Sequence, residues 1–308
     1  MTKKNFFHKC ITIPLVLILA LLIGCAKKTT AHASARTEQV NQPGLAYLEP
    51  DTVPARIVSL SPAATEILCT LGAFGQIAAR TDFCDYPDSV QQLPSVGGFD
   101  GQTLSMEKIL SFSPDFVYAT SGMHDQFFPM LNQQKIPFYI SRANSVDSVI
   151  AEIEQIGSLT GHTAEAATLT ASMKARLSDL RAKYADAPKV PVYWEVWNPP
   201  YMSIGRESFI NELIEIAGGT NIFCALSEPY PIVSEEAILA AAPRVIVISD
   251  AVQDGIVAVQ SRPGWQSVPA VKNRRIYAMQ TDLFFRPCPR IPVAVELIAK
   301  ALHAEEAE

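Results

Sequence analysis

Past residue 54 the chain alternates between two kinds of pattern. Short β-branched or aromatic runs at 56–60, 77–81, 116–120 and 137–141 predict strands; apolar residues spaced three and four apart at 63–71, 105–112 and 124–134 predict helices between them. The pattern starts again near Val190, with strands predicted at 192–197, 245–249 and 275–279 and helices at 209–217, 235–242 and 291–302. Strands alternating with helices imply parallel sheets covered by helices. The expected fold is α/β: two lobes with mainly parallel sheets and a cleft between them. Between the halves, residues 162–185 contain neither Gly nor Pro, and Leu169, Met173, Leu177, Leu180 and Tyr184 recur at helical spacing. About 24 residues at ~1.5 Å each make a rod of roughly 35 Å, long enough to join two lobes.

The halves also repeat each other. Residues 105–119, SMEKILSFSPDFVYA, and 234–248, SEEAILAAAPRVIVI, share a serine, a glutamate two residues on, Ile-Leu, and a proline before an apolar strand, at a constant offset of 129 residues. Each serine is placed to cap a helix, which puts Glu107 and Glu236 in its first turn, where the helix dipole favours a carboxylate. Either acid alone is an ordinary first-turn residue. As a matched pair they suit a partner presenting two equivalent basic sites.

Composition narrows the function. The 308 residues are 48% hydrophobic and carry a net charge of −6, which excludes a disordered chain and disfavours a nucleic-acid partner. Part of the apolar content is the run 15–23, LVLILALLI, which follows Lys3, Lys4 and Lys9. At nine residues it is far short of the roughly 20 that span a bilayer, and reads as an export signal. It ends in Leu22-Ile23-Gly24-Cys25, which looks like the lipobox of bacterial lipoproteins and implies an acylated Cys25 as a membrane anchor. The expected organisation is therefore a signal peptide (1–24), lipidated cysteine and flexible tether (25–53), N-terminal lobe (54–160), bridging helix (161–187) and C-terminal lobe (188–308). Such a protein works outside the cytoplasm, tethered to a membrane, and a monomer is expected.

Cys69, Cys84, Cys224 and Cys288 remain in the folded part, widely spaced and without a C-x-x-C. With only His124 and His162 inside the fold, a metal-ligand set is disfavoured. Export permits a disulfide but does not choose one. Asp82 and Asp85 flank Cys84 and could serve a hydrolase as acid and base. Against an enzyme, there is no G-x-S-x-G elbow and no phosphate-cradling glycine loop.

Together RIVSLSPAATEIL, TDFCDYP, LPSVGGF, SMEKILSFSPDFVYA, YPIVSEEAILAAAPRVIVIS and TDLFFRPCPRI resemble the helix-backbone (class III) substrate-binding proteins of bacterial ABC importers, which carry cobalamin, ferric siderophores and haem. The likeness runs from about Arg56 to Leu302 and is nearest to the cobalamin-binding members. It implies a non-enzymatic protein without a resident cofactor, which captures a corrinoid or, alternatively, a ferric siderophore or haem. Its partners would be a permease dimer with ATPase subunits, docked through Glu107 and Glu236. The resemblance places Phe83, Phe99, Trp197 and Tyr230 in the ligand cleft as aromatic faces and Asp282 and Arg286 as polar contacts. Phe83 and Phe99 depart from the larger or hydroxylated rings of the cobalamin binders. Arg286 and Arg290, beside Pro287 and Pro289, are equally placed to be structural ion-pair partners. A surface sensor or adhesion protein on the same fold is the reading from another class.

Overall fold

The computed structural model describes residues 42–98, 103–250 and 255–304. In chain order the first lobe contains β1 (Ile57–Ser59), α1 (Pro62–Thr70), β2 (Ile77–Arg80), α2 (Met106–Ser111), β3 (Phe116–Thr120), α3 (Phe128–Gln133), β4 (Phe138–Ser141) and α4 (Val146–Leu159). Helix α5 (Thr163–Lys183) follows. The second lobe contains β5 (Val190–Glu195), α6 (Phe209–Ile216), β6 (Gly219–Asn221), α7 (Glu235–Ala241), β7 (Val245–Ser249), α8 (Gly255–Gln260), α9 (Pro269–Lys272), β8 (Ile276–Met279), α10 (Thr281–Phe285) and α11 (Ile291–Leu302).

Each lobe is built on a four-stranded parallel sheet, ordered β2-β1-β3-β4 in the first and β6-β5-β7-β8 in the second, so the two have the same topology. Both faces of each sheet are covered, which is why the strands read as continuous apolar runs. Along β3, Phe116 and Tyr118 enter one core while Val117 and Ala119 enter another; along β7, Val245 and Val247 go one way and Ile246 and Ile248 the other. One of these cores is shared. It runs from Ile57 and Ile153 through Ala166, Met173 and Leu177 of α5 to Leu213 and Leu302, so α5 is a structural member of both lobes.

Two ion pairs of α5 show the same thing at its surface: Lys174 Nζ reaches Glu154 of α4 at 2.8 Å, and Arg176 Nη2 reaches Glu296 of α11 at 2.7 Å. Close approach of α4 to α5 depends on Gly157, where a Cβ would lie 2.3 Å from the Ala166 Cβ. The duplication extends to strained backbone. Ser113 and Ala242, at the same 129-residue offset, take φ of 47° and 45° immediately before Pro114 and Pro243.

The structure alters several expectations. Residues 42–53, read as the end of a flexible tether, include a 3₁₀ turn at Pro43–Tyr47, and Gln42 is fastened to the body. Its carboxamide donates to the Ile140 carbonyl and accepts from the Ile140 N–H, both at 2.8 Å, pairing with the outer edge of β4 as a strand would. Strand β5 stops at Glu195 rather than Trp197, because the chain turns back through Asn198-Pro199-Pro200 and Trp197 pairs with Met202 instead. Helix α4 and strand β6 were not anticipated. The export signal and Cys25 lie outside the described residues.

Candidate ligand cleft

In parallel α/β sheets, loops at the carboxyl ends of the strands build the binding face. Here those ends meet across the lobes. Asp85, in the segment after β2, accepts from Arg286 Nη1 at 2.7 Å, and Arg286 ends helix α10 after β8. Large apolar side chains stand exposed on these segments: Phe83 (55%) after β2, Trp197 (60%) after β5, and Tyr230 (42%) after β6, with Tyr86, Met123 and Ile232 beside them in sequence or on neighbouring loops. The large aromatics exposed among the described residues, Phe83, Tyr86, Trp197 and Tyr230, are all on these segments, where a bound ligand would cover them. Two of them are held in place. The Trp197 indole N–H donates to the Pro199 carbonyl at 3.0 Å, and the Tyr230 ring stacks on Phe285 with centroids 6.0 Å apart.

Beneath the rings is a charge network that joins the lobes. Glu66, on α1 and 1% exposed, accepts from Arg286 Nη1 at 3.0 Å and from Arg290 through Nε and Nη2, both at 2.7 Å. Arg286 Nη2 also pairs with Asp282 at 2.6 Å, and the Arg290 guanidinium lies 4.2 Å from the centre of the Tyr86 ring. Burial works against the charge of Arg286, but the carboxylates around it outweigh burial and raise its pKa. Burial likewise works against the Asp85 carboxylate, and the Arg286 guanidinium outweighs it, holding that carboxyl below its ordinary value.

Of the residues expected to contact ligand, Phe83, Trp197 and Tyr230 are exposed on the strand-end face, and Asp282 and Arg286 are bonded to each other there. Phe99 lies outside the described residues. Arg286 is spent on three carboxylates, so its first partners are the protein's own acids, as the structural reading of that residue had it. The sequence reading did not single out Glu66, although a lone acid inside ATEILC, an otherwise apolar helical run, is the signature of a buried charge awaiting a partner. The supposed hydrolytic carboxylates are committed elsewhere: Asp85 to Arg286, Asp82 to the Ser95 hydroxyl. Burial pushes the Cys84 thiol up, and its sulfur sits 3.1 Å from both Thr65 and Thr81 hydroxyls, which leaves no activated nucleophile there. Among the described residues no group of three or more His, Cys, Asp or Glu is arranged to hold a metal ion.

On the repeated helices, Ser105 and Ser234 cap as expected, accepting from the N–H groups of Lys108 and Ala237 at 3.2 Å each. Glu107 and Glu236 are exposed in the first turns of α2 and α7. The backbone N–H of Glu236 and then the Ser234 hydroxyl hold the Glu236 carboxyl below its ordinary value. Two concavities, about 640 and 310 Å³, are lined by α11 with either α5 or β8 and involve none of the exposed rings.

The model of the periplasmic binding protein family matches residues 57–283, nearly all of both lobes. The chain belongs to that family. Periplasmic binding proteins of this type are the non-enzymatic, extracytoplasmic substrate-binding components of ABC importers, which implies a permease and an ATPase as partners. The vitamin B12-binding protein BtuF of Vibrio cholerae, known from its crystal structure, is 30% identical and superposes with a TM-score of 0.72 over 82% of this chain and 98% of its own. An uncharacterised ABC transporter substrate-binding lipoprotein of Bacillus subtilis, YvrC, is 30% identical over 82% of this chain and 81% of its own length. The haem-binding protein HutB of Vibrio cholerae, at 21% identity and a TM-score of 0.73 over 80% of this chain and 98% of its own, shares the fold. Among the described residues no helix is long and apolar enough to cross a membrane.

Proposed function

We propose that this binding protein captures a corrinoid between its lobes and delivers it to the importer. The observation that carries the reading is the set of exposed rings on the converging strand ends, Phe83 from one lobe and Trp197 and Tyr230 from the other. A broad, partly apolar coordination compound needs such faces and a few polar anchors rather than an acid–base pair. Likeness to a vitamin B12-binding protein over both lobes supports the corrinoid within that class. Glu107 and Glu236, alike in position and exposure, then serve as twin anionic posts for basic sockets on the two permease subunits. Acylated Cys25 holds the protein at the membrane, in keeping with the lipoprotein relative.

The deciding experiment is titration of the detergent-purified full chain with cobalamin, cobinamide, haemin and a set of ferric siderophores, followed by tryptophan fluorescence. Saturable quenching by cobalamin or cobinamide, at concentrations where haemin and the siderophores do nothing, is the expected result. Saturation by haemin or a siderophore alone reassigns the cargo.

A further inference from the structure

The cations of the strand-end face are few, and the two that join the lobes are already engaged. Among the described residues, the segments that follow the strands' carboxyl ends (60–61, 81–98, 103–105, 121–127, 142–145, 196–208, 222–234, 250 and 280–290) contain eight acidic residues, four arginines and no lysine. Two of those arginines, Arg286 and Arg290, are bound to Glu66, Asp85 and Asp282, three carboxylates against two guanidinium groups. Arg80, the last residue of β2, turns its guanidinium onto the carbonyls of Val90, Thr81 and Gln91. The only histidine in these segments, His124, is buried, and burial pushes its pKa down to about 4, so it adds no positive charge at neutral pH.

We infer that the cleft selects by charge: it accepts uncharged or cationic metal complexes and rejects anionic ones. A carboxylate brought in on the ligand loses its water, finds Arg286 and Arg290 already paired, and feels the more numerous acids as repulsion, with the exposed Arg206 the cation left to offset it. An amide at the same position hydrogen-bonds to those acids instead. The inference rests on the strand-end face being the ligand site but not on the ligand being a corrinoid, and it makes Asp85 and Asp282, each about half exposed, specificity determinants.

The test compares ligands matched in shape and differing in charge, using the detergent-purified full chain. The pairs are cyanocobalamin with its monocarboxylate (one side-chain amide hydrolysed), haemin dimethyl ester with haemin, and a ferric hydroxamate with a ferric tris-catecholate. In whichever class binds, the uncharged or cationic member is expected to bind at least about tenfold more tightly, with the gap narrowing as salt is raised. In the Asp85→Asn variant, which leaves Arg286 paired with Glu66 and Asp282, the ratio is expected to fall. An anionic member that binds as tightly as its partner overturns the inference. Binding of the hydroxamate without either corrinoid overturns the corrinoid reading and leaves charge selection standing, whereas binding by none of the six overturns both.

Discussion

Met106 and Glu235 occupy the same position of the duplicated helix, the residue just after the serine cap, and both turn inward. Met106 is 7% exposed in the core of the first lobe, while Glu235 accepts from the Trp265 indole N–H at 2.6 Å and from the Tyr201 hydroxyl at 3.3 Å. The following residue, Glu107 or Glu236, faces solvent in both copies. Of the two adjacent acids on α7, one is therefore structural and the other available for docking. The variant carrying Glu107→Ala and Glu236→Ala should retain ligand affinity within about twofold and lose uptake, since truncating one side of a buried interfacial charge pair costs about 2–5 kcal/mol. Uptake at the wild-type rate would remove both residues from the interface.

Glu235→Ala should behave in the opposite way. Trp265 is fully buried, and removing the acceptor of its N–H should lower stability by about 1–3 kcal/mol while ligand affinity holds. Denaturant melts of Glu235→Ala and Glu236→Ala side by side check this; equal melts would show that Glu235 is not structural.

The lobe junction depends on Glu66. Glu66→Ala leaves Arg286 and Arg290 without their common buried partner, for an expected loss of about 3–5 kcal/mol. Asp85 adds a pH dependence with a definite sign. Its folded carboxyl lies below the ordinary value, so its stabilisation is present above the unfolded pKa of about 3.9 and disappears as pH falls through the lower, folded one. Stability measured downward from pH 5 should drop less in Asp85→Asn than in the wild type.

His124 acts at a milder pH. It is buried, its Nδ1 accepts the Thr120 N–H at 2.9 Å, and its pKa is pushed down to about 4 from the ordinary 6.5. Between those values the unfolded chain binds a proton that the folded chain refuses, so stability should fall as pH is lowered from about 6.5 towards 4. His124→Gln should flatten that part of the curve; an unchanged slope in the variant would mean that other groups set it.

Trp197 is the exposed tryptophan, whereas Trp194 and Trp265 are buried. Ligand stacked in the cleft should therefore quench chiefly Trp197 emission. Trp197→Ala should abolish most of the quench and weaken binding about tenfold, in the range of a lost aromatic face. Full quenching in the variant would place the ligand elsewhere.

The sheets were legible because β3 and β7, buried on both faces, are unbroken apolar runs, and the repeated serine-capped helices declared the symmetry. Helix α4 carried signals of equal strength: Ser145 forms a capping box with Ser148, and Val149, Ile150, Ile153 and Ile156 recur at helical spacing. Strand β6 is three residues beginning with Gly219, too short to make a pattern. Gln42 could not have been read at all, because a side-chain amide standing in for a backbone edge leaves no periodicity. The aromatics exposed on the strand-end face were named from family motifs, but the bonds of Arg286 and Arg290 to Glu66 and Asp85 join residues 201 to 224 positions apart, a separation at which local pattern is silent.

The shared core along α5 has a consequence for how the molecule comes apart. Ile153, Met173 and Leu213 belong to one apolar body, so neither half can shed its layer without exposing the other's. Although the halves repeat like copies of one ancestral unit, down to the strained Ser113 and Ala242, they have lost their independence: a gene cut at α5 would yield two fragments that fold only when mixed, and the intact chain should melt in a single step.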